Sequence, residues 1–457
     1  MTDDVGKRRA DYTEGSIFYS IMKMGLPSMF GFLAQHIYSM VDMYWVSRLP
    51  EQEANVAAIT FFSNILWLFF SFNQLVGPGS VAIISRRYGE KEYNKAEKAI
   101  KETLILKLVF GGLFGLVGFF YVGRMLQLIG AEGETLALGV DYGRIMFLGT
   151  AIMFATYSIF TGMRGVANPN MAMFLMLGSN VLNMVLDPIF IFGYLGLPAW
   201  GVKGAAYASV LSYTLTLSVG LFLFYGGRTN VRLHLRGRER LSVASMWRII
   251  KIGIPAWVGS MSFSGARLVI MGMVAPFGTA VVAAYGVGNQ VTAFGIMLLV
   301  GIGLGLSSLI GHNIGASKPD RAKKTADQSI LLGVGIMFIF GLMAFIFARE
   351  IMGLFFDAES TIAHGDVMLK IFALGFPFIG AFIMIEEIHM GVGLNTPTMI
   401  MNVIHSWALE ALPIYFLTVP LALGQTTVWW TISAAGVISV AAFYAYYRRG
   451  RWLTVKV

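Results

Sequence analysis

Long apolar runs alternate with short polar breaks along the whole chain. The runs fall at residues 17–47, 54–85, 103–123, 136–163, 171–194, 204–226, 249–275, 280–311, 329–348, 362–393, 398–419 and 426–447. A helix needs about 20 apolar residues to cross a bilayer, and every run is long enough. Several are longer, so helices that tilt, kink or project are expected. The pattern predicts an all-α membrane protein with twelve transmembrane helices. Residues 1–15 are polar and charged, without the apolar stretch of a signal peptide, so no cleaved leader is expected there.

Composition narrows the class further. Of 457 residues, 56% are hydrophobic and 13% charged, about half the charge of an ordinary soluble protein. So apolar a chain is neither disordered nor a soluble enzyme with one compact core, which would leave too much apolar surface in water. With no cysteine, a disulfide scaffold is excluded.

The formal net charge of +9 is unevenly placed. Lys7, Arg8 and Arg9 precede the first run. Arg86, Arg87, Lys91, Lys95, Lys98 and Lys101 lie between the second and third. Arg228, Arg232, Arg236, Arg238, Arg240, Arg248 and Lys251 lie between the sixth and seventh, and Lys318, Arg321, Lys323 and Lys324 between the eighth and ninth. Arg164 follows the fourth run, and Arg448, Arg449, Arg451 and Lys456 follow the twelfth. The alternate loops carry only Arg48, Arg124, Lys203 and Arg349. Positive loops face the cytoplasm, so both termini are expected inside a cytoplasmic membrane. The same bias explains the charge without a nucleic-acid partner.

The chain repeats itself. Ile21-Met-Lys-Met-Gly-Leu-Pro27 returns as Ile249-Ile-Lys-Ile-Gly-Ile-Pro255. Tyr88-Gly89 aligns with Ile314-Gly315, Asp141 with Asp366, Arg164-Gly165-Val166 with Met390-Gly391-Val392, and Asp187-Pro188-Ile189-Phe190 with Leu412-Pro413-Ile414-Tyr415. Six runs make one unit, used twice with the same topology. The expected division is an N-terminal lobe over 1–226, a hinge-like Arg-rich linker over 227–248 and a C-terminal lobe over 249–457. Transporters are often built from such repeats, with the substrate path between or within the halves.

An ionisable residue inside a span is costly and marks function by default. The first half has Asp42 and Asp187, both near the outer end of outward-running spans and so at similar depth. Gln35, Ser39 and Asp42 lie at i, i+4 and i+7; Asn180, Asn183 and Asp187 lie at i, i+3 and i+7. Each set makes one polar stripe on an apolar helix, facing a cavity or another helix. Two carboxylates in one cavity can exchange protons, and with amide and hydroxyl oxygens they are hard ligands for a small cation. A structural hydrogen-bond network is the plainer alternative.

The second half lacks this chemistry: Leu412, His405 and Ala408 stand where Asp187, Asn180 and Asn183 would repeat. It carries its own polar set, Arg267, Glu386, Glu387, His405 and Glu410. That set fits either a second coupling or substrate site or buried ion pairs joining helices. Glu386 and His389 have the i, i+3 spacing of a di-metal ligand pair, but such a site needs a second copy on facing helices. The chain has no phosphate-binding loop of the Gly-rich Lys-Ser/Thr type, so ATP hydrolysis is not expected. Pro27 and Pro188 each remove a helix hydrogen bond and permit a kink beside a titrating aspartate.

Several stretches carry a resemblance: Met24-Gly-Leu-Pro27, Tyr38-Ser-Met-Val-Asp42-Met-Tyr-Trp-Val46, Ser85-Arg-Arg-Tyr-Gly89, Gly162-Met-Arg-Gly165, Asn183-Met-Val-Leu-Asp-Pro-Ile-Phe190 and Gly204-Ala-Ala-Tyr-Ala208. Through them the chain resembles the multidrug and toxic compound extrusion transporters, in particular their DNA-damage-inducible F branch. The resemblance implies two six-helix lobes in a V that open alternately to either side. It implies export of cationic or amphipathic compounds in exchange for H+ or Na+, with no other cofactor. The positions matching the family's coupling cluster are Asp42, Asp187, Asn183 and Ser209, where close relatives often have threonine. Tyr142 matches a tyrosine of that cavity, and Pro27 the proline at which the first helix bends. Glu386, Glu387 and Arg267 lie outside this pattern.

The expectation is therefore a monomeric multidrug antiporter, not an enzyme. Asp42, Asp187, Asn180, Asn183 and Ser209 would hold the coupling cation, with Gln35, Ser39 and Tyr142 in the substrate cavity. A lipid-linked saccharide flippase of related architecture is the alternative.

Overall fold

The computed structural model describes residues 10–50, 52–236 and 239–455. Lys7, Arg8, Arg9, Arg238 and Lys456, and with them most of the N-terminal tail, lie outside the described residues.

Among the described residues, twelve helices are long and apolar enough to cross a membrane. They are α1 (Ile17–Val46), α2 (Glu53–Gly89), α3 (Tyr93–Leu128), α4 (Gly133–Gly165), α5 (Pro169–Phe192), α6 (Val202–Tyr225), α7 (Val243–Phe277), α8 (Thr279–Gly315), α9 (Pro319–Ile346), α10 (Glu359–Val392), α11 (Asn395–Thr418) and α12 (Thr426–Arg448). The all-α, twelve-helix expectation is met, but three helices begin early. α3 and α9 each start ten residues before their apolar runs and α7 six before its own. Charged turns extend them: on α3, Lys101 bonds Glu97 Oε1 at 2.7 Å, an i, i+4 pair of the kind that supports a helix without apolar residues. Two helices are irregular. α2 passes through a 3-10 turn at Phe72–Leu75, and α11 through a π-helical segment at Ile404–Ala411.

The duplication is visible in the backbone. Lys91 (φ 60°) after α2 and Ser317 (φ 56°) after α8 occupy the same place in the two copies. So do Ala167 (φ 59°) after α4 and Gly393 (φ 76°) after α10. Left-handed backbone disfavours a Cβ, yet three of these four positions keep one, so the turn geometry has outlasted the residue identities.

Each lobe has its own core. Phe62, Phe147, Val122 and Met146 pack at one end of the first lobe and Ile84, Ile100, Met163 and Phe224 at the other. In the second, Met368, Leu369, Phe376, Trp429 and Phe443 form one continuous cluster. Outward-pointing side chains such as Trp67, Phe120 and Leu268 are more than 70% exposed, the arrangement of helices solvated by lipid.

The lobes meet where α1, the second half of α2 and α4 face α7, α8 and α10, and they approach backbone to backbone. A Cβ on Gly305 would lie 2.4 Å from the Met24 carbonyl, one on Gly89 2.2 Å from the His312 carbonyl, and one on Gly253 2.0 Å from the Leu75 carbonyl. Ile21, Ile302 and Leu309 fill the remaining space. At the end bearing both termini, residues 10–15 tie the lobes together. Tyr88 donates to Ala10 O (2.8 Å) on one side; on the other, Lys318 donates to Thr13 O (3.0 Å) and Arg321 to Gly15 O (2.8 Å).

The stretch expected to act as a hinge is largely docked on the first lobe. Val231 and Leu233 are buried, the Asn230 amide donates to Asn168 Oδ1 (2.7 Å), and the His234 amide to Glu97 Oε1 (2.8 Å). Two apolar residues among the arginines, each needing a pocket, account for the docking. The rest of 227–248 includes the start of α7.

Candidate functional site

The first lobe gathers a cluster of buried polar side chains, called here the chamber, among α1, α4, α5 and α6. Asp42, one turn from the end of α1, and Asp187, near the end of α5, are both buried and lie within electrostatic reach of each other. Asn183, one turn before Asp187, bridges two helices. With its amide oxygen turned to α6 it accepts from the Ser209 amide (3.0 Å) and hydroxyl (3.3 Å), and its nitrogen donates to Asp187 Oδ2 (3.0 Å). Tyr38, one turn before Asp42, meets Ser209 Oγ at 3.2 Å.

Small residues let these helices close in. A Cβ at Gly204 would lie 2.4 Å from the Phe190 carbonyl, so α6 rests directly on the end of α5 beside Asp187. Pro188 has no amide hydrogen, which deprives the Met184 carbonyl of its usual helical donor on the turn that carries Asp187.

Three further tyrosines complete the wall. Tyr142 lies within reach of both carboxylates and Tyr213 within reach of Asp42. Tyr157 stands beside Tyr213 and accepts a hydrogen bond from Gln35. Of the residues expected here, Gln35, Asp42, Tyr142, Asn183, Asp187 and Ser209 come together. Asn180 lies a turn away on α5, its buried Nδ2 without a partner. Ser39 does not join: it is exposed and bonds the His36 carbonyl at 2.8 Å. Tyr38, Tyr157 and Tyr213 were missed, although Tyr38 is i−4 from Asp42 and Tyr213 i+4 from Ser209, spacings that put each pair on one face.

Two atoms define what the chamber can do. Oδ1 of Asp42 and Oδ1 of Asp187 are buried without a hydrogen-bond partner. Buried carboxylates in that condition are strongly unfavourable unless a proton or a cation satisfies them. The donor set, two carboxylates with amide and hydroxyl oxygens, suits a proton or a small hard cation. Ser209→Ala removes the hydroxyl shared by Tyr38 and Asn183 but keeps the backbone donor. A loss of about 1 kcal/mol is expected, read as a lowered thermal midpoint in detergent; an unchanged midpoint would mean the hydroxyl holds nothing.

The second-lobe residues divide into three places. Glu386 accepts from Asn402 at 3.1 Å, while His389 bonds the Ile385 carbonyl at 2.7 Å, so the two serve separate partners. Glu387 accepts from Ser307 on α8. His405 and Glu410 meet at 3.3 Å. They are five residues apart, far off a common face in an α-helix, and the π-helical segment of α11 brings them into line. Arg267 bonds Asn289 Oδ1 at 2.5 Å and lies within reach of Glu410. Ser439 on α12 holds the other His405 nitrogen at 3.0 Å. Arg164, expected in a loop, is instead buried in the last turn of α4, and Lys107 on α3 is buried near it.

A two-lobed bundle of twelve spanning helices with two buried carboxylates inside one lobe defines a multi-pass membrane protein. The chain belongs to the MatE family, whose model matches residues 27–189 and 255–416, once in each lobe. It is similar to the probable multidrug resistance protein YoeA of Bacillus subtilis, 27% identical over 95% of this chain and 94% of that one. It is also similar to the multidrug export protein MepA of Staphylococcus aureus, 25% identical over 97% and 96%. Among solved structures it superposes on a MOP superfamily transporter from Pyrococcus furiosus, with TM-score 0.88, 23% identity and coverage of 98% and 100%. A MATE transporter in its bent conformation gives TM-score 0.89 at 24% identity, covering 96% and 97%. These likenesses carry the two-lobed fold, and membership of a transporter family makes the chain a transporter and not an enzyme.

Proposed function

We propose that this protein exports many drugs across the cytoplasmic membrane, taking cationic or amphipathic compounds out in exchange for H+ or Na+. The observation that carries the reading is the pair of unpartnered, buried carboxylate oxygens of Asp42 and Asp187. A cation entering from outside satisfies them, and its departure to the inside frees them. Asn183 and Ser209 hold Asp187 in place, Asn180 adds an amide on the same helix, and Tyr142 lines the wall. Pro27, within α1, supplies the point at which that helix can bend. A ligand moves the balance between outward and inward forms only through its different affinity for each, so drug and cation must favour opposite forms. The excess of Lys and Arg on the loops beside both termini supports their placement in the cytoplasm. The relatives' names as multidrug export and resistance proteins support the breadth of substrate. The protein is taken to work as a monomer, since each chain holds a complete chamber.

The test uses purified protein in sealed liposomes loaded with a fluorescent organic cation. Proton and sodium gradients are imposed separately, with Asp42→Asn as control. Flux under one gradient, lost in the variant, identifies the exchanged ion. Flux that persists equally in the variant, or none under either gradient, would overturn the reading.

A further inference from the structure

At the terminus-bearing end of the seam, a buried guanidinium of one lobe faces a buried carboxyl of the other. Arg164, in the last turn of α4, is 4% exposed, and Glu387, on α10, is 5% exposed. Each lies within the electrostatic reach of the other, yet no hydrogen bond joins them. Nε and Nη1 of Arg164 are buried without a partner. Its other charged neighbour is Lys107, a like charge, which leaves Glu387 as the carboxylate that compensates it.

The surroundings hold the two charges at this spacing. Ser307 of α8 donates to Glu387, and Gly303 leaves room for its side chain, since a Cβ there would lie 2.5 Å from Glu387 Cγ. The adjacent carbonyl of Gly165 takes the His312 ring nitrogen of α8 at 2.7 Å. Glu387 is therefore held within its own lobe, while the turn that carries Arg164 is tied across the closed seam.

We propose that Arg164 and Glu387 are an inter-lobe latch, a positioning pair that selects the conformation closed at the terminus-bearing end. The pair rests on the alternating exposure expected of a transporter and not on which drug or ion is carried. When the lobes part here, the two charges separate and each regains water. When the lobes close, both lose water and keep only their attraction through a low-dielectric medium, which is stronger than in solvent. The desolvation of both ions works against that attraction. A pair with unsatisfied guanidinium hydrogens is thus strong enough to bias the closed form and weak enough to release it. Removing one charge strands the other and disfavours closure; removing both removes the desolvation penalty and restores it.

The absence of cysteine in the sequence allows a clean readout. Ile21→Cys places a thiol within the seam cluster with Ile302 and Leu309; Thr150→Cys places one in the interior of the first lobe, where Thr150 is 0% exposed. Full-length protein in liposomes, without drug or gradient, is labelled with a water-soluble maleimide. Glu387→Gln should raise labelling at position 21 by about tenfold, a shift of about 1.4 kcal/mol in the opening equilibrium, while position 150 stays protected. Glu387→Asp, which keeps the charge, should label like the parent, and the double variant Arg164→Met/Glu387→Gln should return to or below it. Equal labelling in parent, single and double variants overturns the latch. Faster labelling at both positions also overturns it, assigning the pair to folding. Neither result bears on drug export, which is read separately by flux.

Discussion

Asp187→Asn is expected to reduce gradient-driven export to the level of protein-free liposomes. The substitution keeps the side chain's volume, and the amide oxygen can still accept from Asn183, whose nitrogen donates to Asp187 Oδ2 at 3.0 Å. What is lost is the negative charge that a proton or cation would neutralise. A gradient does work through a transporter only if the driving ion binds in one form and leaves in the other. Removal of the exchanging charge therefore disconnects the gradient entirely instead of slowing the cycle by a fixed factor. The thermal midpoint should change little, because an unsatisfied buried charge has been replaced by a neutral group of the same shape. Asp141 provides the contrast. It pairs with Lys203 at 2.9 Å on the surface, with both side chains more than 40% exposed, and such pairs contribute about 0–1 kcal/mol. Asp141→Asn should export normally. Export by the Asp187 variant above half the parent rate would remove that residue from the cycle.

The second large effect is expected at the seam. In Gly305→Ala the new Cβ would meet the carbonyl carbon and oxygen of Met24 at 2.4 Å and the Gly25 nitrogen at 2.7 Å. These are backbone atoms of α1, which cannot turn aside as a side chain can. α1 and α8 must separate along their length, and overpacking of this kind costs about 1–3 kcal/mol. The burden falls on the closed seam alone, so the variant should melt lower and expose the terminus-bearing end more often. Gly335→Ala on α9 has nothing within 4 Å of its new Cβ, and there the better helix former should be neutral or stabilising by up to about 1 kcal/mol. Parallel melting curves in detergent decide the matter. Equal midpoints for Gly305→Ala and the parent would show that the close approach bears no load.

How much of this is legible in the sequence depends on range. The twelve spans are, because a bilayer demands a fixed length of apolar residues and polar breaks are hard to miss. Helix starts are less so: the ten residues added to α3 are held by charge pairs such as Lys101 with Glu97, which a hydropathy reading discards as loop. The aspartates stand out because a charge inside an apolar run has few explanations. Of their tyrosine neighbours only Tyr142 is reached from the sequence, through the family resemblance; Tyr38, Tyr157 and Tyr213 are ordinary membrane residues until the hydroxyls are seen to converge. Ser39 lies near enough to the Asp42 face to be included by periodicity, yet the helix turns it outward. Arg164 is the instructive miss. Its position after an apolar run and beside a glycine reads as a loop charge, and its burial comes from neighbours distant in sequence, Lys107 on α3 and Glu387 of the opposing lobe.

The π-helical segment of α11 has a geometric consequence. A π turn carries one residue more than an α turn, and such segments are what an α-helix becomes when one residue is inserted and the ends are held fixed. The meeting of His405 with Glu410 therefore rests on the wider π turn and not on an ordinary α-helical face. Deleting one residue between 405 and 410 would shorten α11 by only about 1.5 Å and leave His405 and Glu410 four residues apart, the spacing an ordinary α-helix places on one face. Hydropathy and both flanking helices would survive the deletion, and the His–Glu pair would pass from a π turn to an α turn.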